Sequence, residues 1–371
     1  MTEFWVGLDV GSRETALCVT DESGSVVEER TVVTDVTAVH SALANYKHAI
    51  ALVGAEAGAD VHLIRKLREI GYPAVAFECH KVSKILAVRR NKTDANDARG
   101  LADVARLARN VVPQVHIRGM DCQRLRSLLN LREQLVRQRV AAEASLRSTV
   151  RFYGGTIKSI RSAQALRQHV AVEIARLATE EKIDLTDDLQ PLVSLCESIR
   201  AYVSRIDRQL QEQANNNPIC RRFMEIPGVG VICALSFFSA IEDPSRFARI
   251  ANVGSYFGLV PKVRQSGQYS RSMRINKAGD ERTRARLIMS ARVILGKCRQ
   301  DLRLKDWGLE VSARAGNKKA WVAVARKLAI VMLSIWKSDG EFQAYPETSP
   351  PRGGGKLGHR GMVPAIAIGA A

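Results

Sequence analysis

Apolar positions at the front of the chain fall into short runs of two kinds. Residues 4–10 (FWVGLDV) are nearly continuous in apolar character, the pattern of a strand covered on both faces. Gly11 and Ser12 break the run, and residues 14–20 resume with the alternation of a second strand. After the turn DESGS, residues 25–33 predict a third strand. A helix over 36–47, a buried strand over 50–56, a helix over 59–70 stopped by Gly71, and a strand over 73–78 follow. Three strands and then alternating helix and strand is the order of an α/β, ribonuclease-H-like fold. There a right-handed crossover returns the fourth strand beside the first.

From residue 79 onward helical spacing takes over. In "KTDANDARGLADVARLARN", Thr93 or Asp94 can cap a helix that carries Ala98, Leu101, Ala102, Ala105 and Leu107 or Ala108 at helical spacing. Pro113 and Gly119 bracket a linker, and a long polar helix is predicted from 121 to 152, interrupted by "YGG". Further helices are predicted over 160–180 and 191–217. In the last, Leu192, Cys196, Ile199, Val203, Ile206 and Leu210 alternate spacings of four and three, the seam of a coiled coil. Three short heptads are marginal alone, so the stripe either folds back on helix 121–152 or pairs with a second protomer.

Beyond "NNNP" the sequence "RRFMEIPGVGVICALSFFSAI" sets Pro227-Gly228-Val229-Gly230 between two apolar helical segments, like the turn of a helix-hairpin-helix. Residues 262–286 then carry eight Lys/Arg against Asp280 and Glu281, reading as a loop or hairpin followed by a basic helix. A turn at Gly316 precedes a long helix with Trp321, Val324, Leu328, Val331 and Ile335 on one stripe. Residues 346–371 are Pro/Gly-rich and basic, the composition of a disordered tail. The expected division is therefore 1–111 for an α/β domain, 112–217 for a helical coiled-coil linker, and 218–345 for a small, mainly helical domain.

Charge sharpens this division. The chain carries a net +18, yet residues 1–80 hold 12 acidic and 6 basic residues. An acidic front on a basic body suggests a catalytic module joined to one that binds a polyanion. Seven cysteines stand singly, with no CxxC pair, which argues against a zinc site or disulfide framework and fits a reducing cytoplasm. No signal peptide is expected, and runs such as "LAIVMLSIW" are too short to span a bilayer.

The chemistry centres on four carboxylates. Asp9 sits inside an apolar run, where an ionised group is costly without a partner. The expected topology sets Glu56, at the end of the fourth strand, next to it. Asp94 and Asp97 are i and i+3 in a first helical turn, so they share one face, although acids there also complement the helix dipole. Four converging carboxylates repel and call for divalent cations, and hard oxygen donors favour Mg²⁺ or Mn²⁺. Two such ions, roughly 3.5–4 Å apart, can hold the attacking and leaving oxygens of a phosphodiester displacement. "GLDVG" also suits the phosphate turn of actin-like ATPases, but the second Asp-x-Gly-x-Gly loop those need is missing from the sequence.

Phosphate contacts are expected from Gly228 and Gly230 in the turn, and from Lys262, Arg264, Arg271, Arg274, Lys277 and Arg284. Ser266, between Gln265 and Gly267, reads first as turn chemistry. A serine can attack a phosphodiester without histidine where metal ions and arginines stabilise the charge.

With these motifs in hand, the chain resembles the transposases of the insertion sequence 110 family, also called DEDD transposases, over about residues 4–345. The resemblance rests on "GLDV" with its downstream Glu and "KTDANDA", on "IPGVG", "FGLVP", "QSG" and "INKAGD" in that order, and on "NKKAWVAVARKLA". It implies a RuvC-like nuclease domain whose acids fall on Asp9, Glu56, Asp94 and Asp97, a coiled-coil linker, and a C-terminal domain whose catalytic serine falls on Ser266. It also implies a phosphoserine link to DNA and a structured noncoding guide RNA that pairs with donor and target DNA. A homo-oligomer, dimer or tetramer, is expected through the coiled coil. Two departures stand out: "EAGAD" follows Glu56 where a Thr-Gly pair is usual, and "DERTR" replaces a common Leu-Arg. The reading is a Mg²⁺-dependent DNA recombinase of a mobile element. The alternatives are a RuvC-like junction endonuclease that uses water, and a non-enzymatic nucleic-acid-binding protein with a decayed nuclease fold.

Overall fold

The computed structural model describes residues 3–58, 61–87, 93–158, 160–266 and 269–345, without the side chains of 263–266 and 269–273. The basic tail expected after 346 lies outside the described residues. The chain divides into two compact units, 1–119 and 120–371, so the helical middle and the C-terminal region fold as one.

The first unit is built on a six-stranded sheet. Its elements are β1 (Phe4–Val10), β2 (Glu14–Thr20), β3 (Val26–Val33), α1 (Val36–Leu43), β4 (Ile50–Glu56), α2 (Val61–Glu69), β5 (Ala74–Phe77), α3 (Cys79–Leu86), α4 (Asp94–Asp103) and β6 (Gln114–Val115). The strand order is β3-β2-β1-β4-β5-β6. β1 to β3 pair antiparallel, whereas β4 returns beside β1 in parallel, as the sequence order predicts. β6 adds an antiparallel edge of two residues that the sequence pattern does not reveal.

Alternation decides which residue meets which layer. Val6, Leu8, Leu17 and Val19 pack with Val39 and Leu43 of α1 and Ile64 and Leu67 of α2. On the other face Trp5, Leu52, Val75 and Phe77 pack with Leu101 of α4, and with Val104 and Ala105 in the π-helical turn that extends it. Ala16 and Cys18 of β2 meet Ala98 and Ala102 of α4 through small side chains alone. Helices on both faces thus bury β1 and β4 completely along most of their length, which explains their apolar runs. β3 keeps an exposed, charged edge, where Glu29 pairs with Arg99 of α4.

The second unit comprises α5 (Met120–Phe152), α6 (Ala163–Glu180), α7 (Thr186–Asn216), α8 (Pro218–Glu225), α9 (Val231–Ile241), α10 (Val253–Tyr256), the hairpin β7 (Pro261–Ser266) and β8 (Tyr269–Ile275), α11 (Glu281–Gly296), α12 (Arg303–Ala315) and α13 (Asn317–Ser338). α7 begins at Thr186, ahead of the expected start at Pro191, so Pro191 stands inside the helix and cannot donate the usual backbone bond to residue 187.

The heptad stripe turns inward. Cys196 packs with Leu146 and Val150 of α5 and Leu166 and Val170 of α6, while Ile206 and Leu210 join Leu125 of α5 in the C-terminal core. Arg132 pairs with Asp207, and Arg200 with the buried Glu143, along the same antiparallel seam. Of the two alternatives open in the sequence, folding back on α5 is the one realised. Cys196, Ile199, Val203, Ile206 and Leu210 of the stripe are buried within the chain, and Leu192 is half-buried.

All seven cysteines are free, and no helix among the described residues is long and apolar enough to cross a membrane.

Candidate active site

β1 and β4 end side by side. Their register pairs Gly7 with Gly54 and Leu8 with Ala55, so Asp9 and Glu56 follow as neighbours at the carboxyl ends of two parallel strands. Both belong to the α4 face of the sheet. A Cβ on Gly7 would overlap the Ala98 carbonyl oxygen and the Ala102 amide nitrogen of α4, and one on Gly54 would meet Phe77 and Ala105. Asp9 and Glu56 lie two residues beyond those glycines, and side chains two apart share a face. Asp9 is half-buried and Glu56 exposed.

α4 crosses β1 at backbone contact, which only glycine at position 7 permits. Thr93 caps the helix, its Oγ1 accepting from the Asn96 N–H at 3.2 Å. That settles the alternative left open between Thr93 and Asp94, and it leaves the Asp94 and Asp97 carboxylates out of the cap. Asp94 is exposed and Asp97 half-buried in the first turn, one turn ahead of Ala98. Two clamps hold α4 and its π turn in place: Arg99 on Glu29, and Arg106 reaching the Glu22 carbonyl at 3.3 Å and Asp103 at 3.4 Å. Arg99 and Arg106 carry no motif, and only the tertiary structure reveals their work.

Among the described residues no group of three or more His, Cys, Asp or Glu side chains stands close enough together to hold a metal ion. Strand register brings Asp9 and Glu56 together, and helix placement sets Asp94 and Asp97 on the first turn of the helix that crosses β1. Residues 88–92, which lead into that helix, lie outside the described residues. Asp9 and Glu56 offer carboxylate oxygens, the donor type of a hard divalent cation, on one face of the sheet. The nearby Cys18 thiol is no competing ligand, since burial, reinforced by Glu29, pushes its pKa up to about 12.

The basic stretch of the second unit is a hairpin followed by a helix. β7 and β8 pair antiparallel, with Ser266 opposite Tyr269 at the last rung before the tip. The side chains of Arg264, Ser266 and Arg271, and residues 267 and 268, lie outside the described residues. Lys262, Arg274 and Lys277 are exposed.

Arg284 is a correction. It is 6% exposed, and its guanidinium donates to the carbonyls of Phe257, Lys277 and Ala278 at 3.1, 3.0 and 3.3 Å. A group so committed ties the hairpin's exit to α11 and is not available to a phosphate. The two turn glycines also differ. Gly228, at φ +88°, is packed against Ser290 and Ile294 of α11, whereas Gly230 is open at the uncapped start of α9.

Both halves of the chain match models of transposase families. Residues 6–154 match a DEDD model described as "Transposase", and residues 220–305 match "Transposase IS116/IS110/IS902 family". The chain is 29% identical over 333 residues to the transposase for insertion sequence element IS1111A of Coxiella burnetii, covering 89% of this chain and 88% of that one. It is 28% identical to a probable family 20 transposase of Pseudomonas aeruginosa, over 76% of this chain and 83% of the relative. A third relative, the transposase for insertion sequence element IS1328 of Yersinia enterocolitica, is 28% identical over 75% of this chain and 81% of its own. The α/β unit with paired strand-end carboxylates and the basic helical unit are thus the two parts of a transposase. The chain belongs to the insertion sequence 110 family.

Proposed function

We propose that the chain cuts and rejoins DNA by a serine-based, divalent-metal-dependent reaction. The first unit acts as a ribonuclease-H-like, RuvC-like nuclease. Asp9, Glu56, Asp94 and Asp97 would hold Mg²⁺ or Mn²⁺, which supplies Lewis-acid stabilisation of charge on the scissile phosphate when bound. The observation that carries this reading is the register that sets Asp9 beside Glu56 on the sheet face that α4 crosses.

Ser266 is the proposed nucleophile. Its Oγ–P bond forms as a bridging P–O bond breaks. The hydroxyl proton passes to solvent and the departing sugar oxygen takes one up. A hydroxyl of the incoming strand then displaces Ser266, and the joined phosphodiester retains the energy of the broken one. The basic hairpin places arginines in the same segment, where they would offset charge as it builds on the phosphate. Donor and target DNA are the partners, and a structured noncoding RNA paired with both would choose the sites. A homo-oligomer, dimer or tetramer, formed through the coiled-coil region is the proposed working form.

The hairpin supplies the proposed phosphate contacts through Lys262, Arg264, Arg271, Arg274 and Lys277, with Gly230 adding open N–H groups at the start of α9. Duplex affinity is therefore expected to fall steeply with salt. Arg271→Ala with Arg274→Ala is expected to reduce the slope of log K against log salt by about one for each phosphate that is no longer neutralised. Filter-binding titrations across a salt series read this directly. An unchanged slope would mean that these arginines face elsewhere. On the same duplex, Mg²⁺ is expected to permit strand cleavage and a chelator to stop it. Cleavage undiminished in excess chelator would overturn the metal assignment.

A further inference from the structure

We infer that Cys79 is a positioning residue for Glu56: its thiol holds the peptide that follows Glu56 and so fixes where that carboxylate stands. This rests on the reading of Glu56 as a metal ligand.

Glu56 is the last residue of β4, and the chain leaves the sheet directly after it. A carboxylate on a strand end is only as well placed as the next peptide. Here the next residue, Ala57, is held through both of its backbone groups by the β5–α3 corner. The Ala57 N–H donates to the Phe77 carbonyl at 2.8 Å, and the Cys79 Sγ donates to the Ala57 carbonyl. The corner is itself anchored. Glu78 caps α3 by accepting from the N–H groups of His80 and Lys81, at 3.2 and 3.1 Å, and its own N–H donates to the Pro113 carbonyl at 2.9 Å.

The thiol itself is half-buried at this corner. A neutral donor beside a ligating carboxylate orients it without competing for the cation, the usual work of an outer-shell partner. Serine would retain the donor at this position and alanine would remove it.

Calorimetric titration of Mn²⁺ into the full-length chain tests this without relying on activity. Cys79→Ala is expected to weaken Mn²⁺ binding about tenfold, and Cys79→Ser to stay within about threefold of the wild type. Glu56→Ala provides the reference, and the Glu56→Ala/Cys79→Ala double variant is expected to bind no more weakly than Glu56→Ala alone, because Cys79 acts through Glu56. Circular dichroism confirms the fold of each variant, and Cys79→Ser carries the test should Cys79→Ala fail to fold. The proposal is overturned if Glu56→Ala weakens binding while Cys79→Ala does not, if the double variant loses a further tenfold, or if folded Cys79→Ser is as weak as the alanine variant. Unchanged binding in Glu56→Ala would instead remove Glu56 from the site, and the role of Cys79 with it.

Discussion

Asp94→Ala is expected to abolish Mg²⁺-dependent DNA cleavage while leaving the melting temperature unchanged or slightly raised, and Asp9→Ala to abolish it as well. Thr93, not Asp94, caps α4, so no cap is lost on substitution. Asp94 is exposed, and truncating an exposed side chain outside such features changes stability by about 0.5 kcal/mol or less. Asp97 shares the first turn of α4 with Asp94, so the substitution also removes a like-charge pair at i and i+3. Activity responds in the opposite sense. Loss of an outer-shell partner alone costs roughly 10- to 100-fold, and loss of a direct ligand costs more. A gel assay of duplex cleavage, read beside a thermal melt, decides it. Wild-type cleavage by a folded Asp94→Ala protein would remove that residue from the site.

Gly7→Ala is expected to have the largest effect of any single methyl group in the first unit. The added Cβ would overlap the backbone of Ala98 and Ala102 and stand 2.9 Å from the Leu101 carbonyl carbon. A helix backbone cannot rotate aside as a side chain can, so α4 must retreat from the sheet. Overpacking of this kind costs about 1–3 kcal/mol, and the rigid contact points to the upper end. The retreat also carries Asp94 and Asp97 away from Asp9 and Glu56, so cleavage should fall further than the loss of folded protein explains. Gly296→Ala is the control, because its Cβ would meet nothing within 4 Å. Chemical denaturation and a cleavage assay on the same samples measure both effects. A Gly7→Ala protein of wild-type stability and activity would contradict the close crossing of α4 over β1.

Much of the first unit was legible because its physics is local. Strands buried on two faces read as apolar runs, and the small residues Ala98 and Ala102 mark the close side of α4. The strand order followed from the three-strand start and the handedness of the crossover. Asp9, Glu56, Asp94 and Asp97 could be singled out because each stands where an element begins or ends.

What escaped the sequence was tertiary. Arg284 looks like any other basic residue of its stretch, yet three carbonyls from the hairpin's flanks draw it inside. The stripe from Leu192 to Leu210 has the same heptad pattern whether its partner is α5 or a second protomer, and only the fold-back chooses. Cys79 has no motif, since its importance comes from a carbonyl that lies 22 residues earlier in the chain. Ser266 was singled out by the order of surrounding motifs alone, and a hairpin position is all that the fold adds.

The central claim, that the first unit's carboxylates and Ser266 act together on one phosphodiester, has a direct measurement. The purified chain is incubated with Mg²⁺ and a duplex spanning the junction between the element and its flanking DNA, then denatured, digested and mapped by mass spectrometry. The account predicts a nucleotide linked covalently to Ser266, absent in Ser266→Ala and in Asp9→Ala. Cleaved ends without any adduct in the wild type, or an adduct that persists in Ser266→Ala, would contradict it.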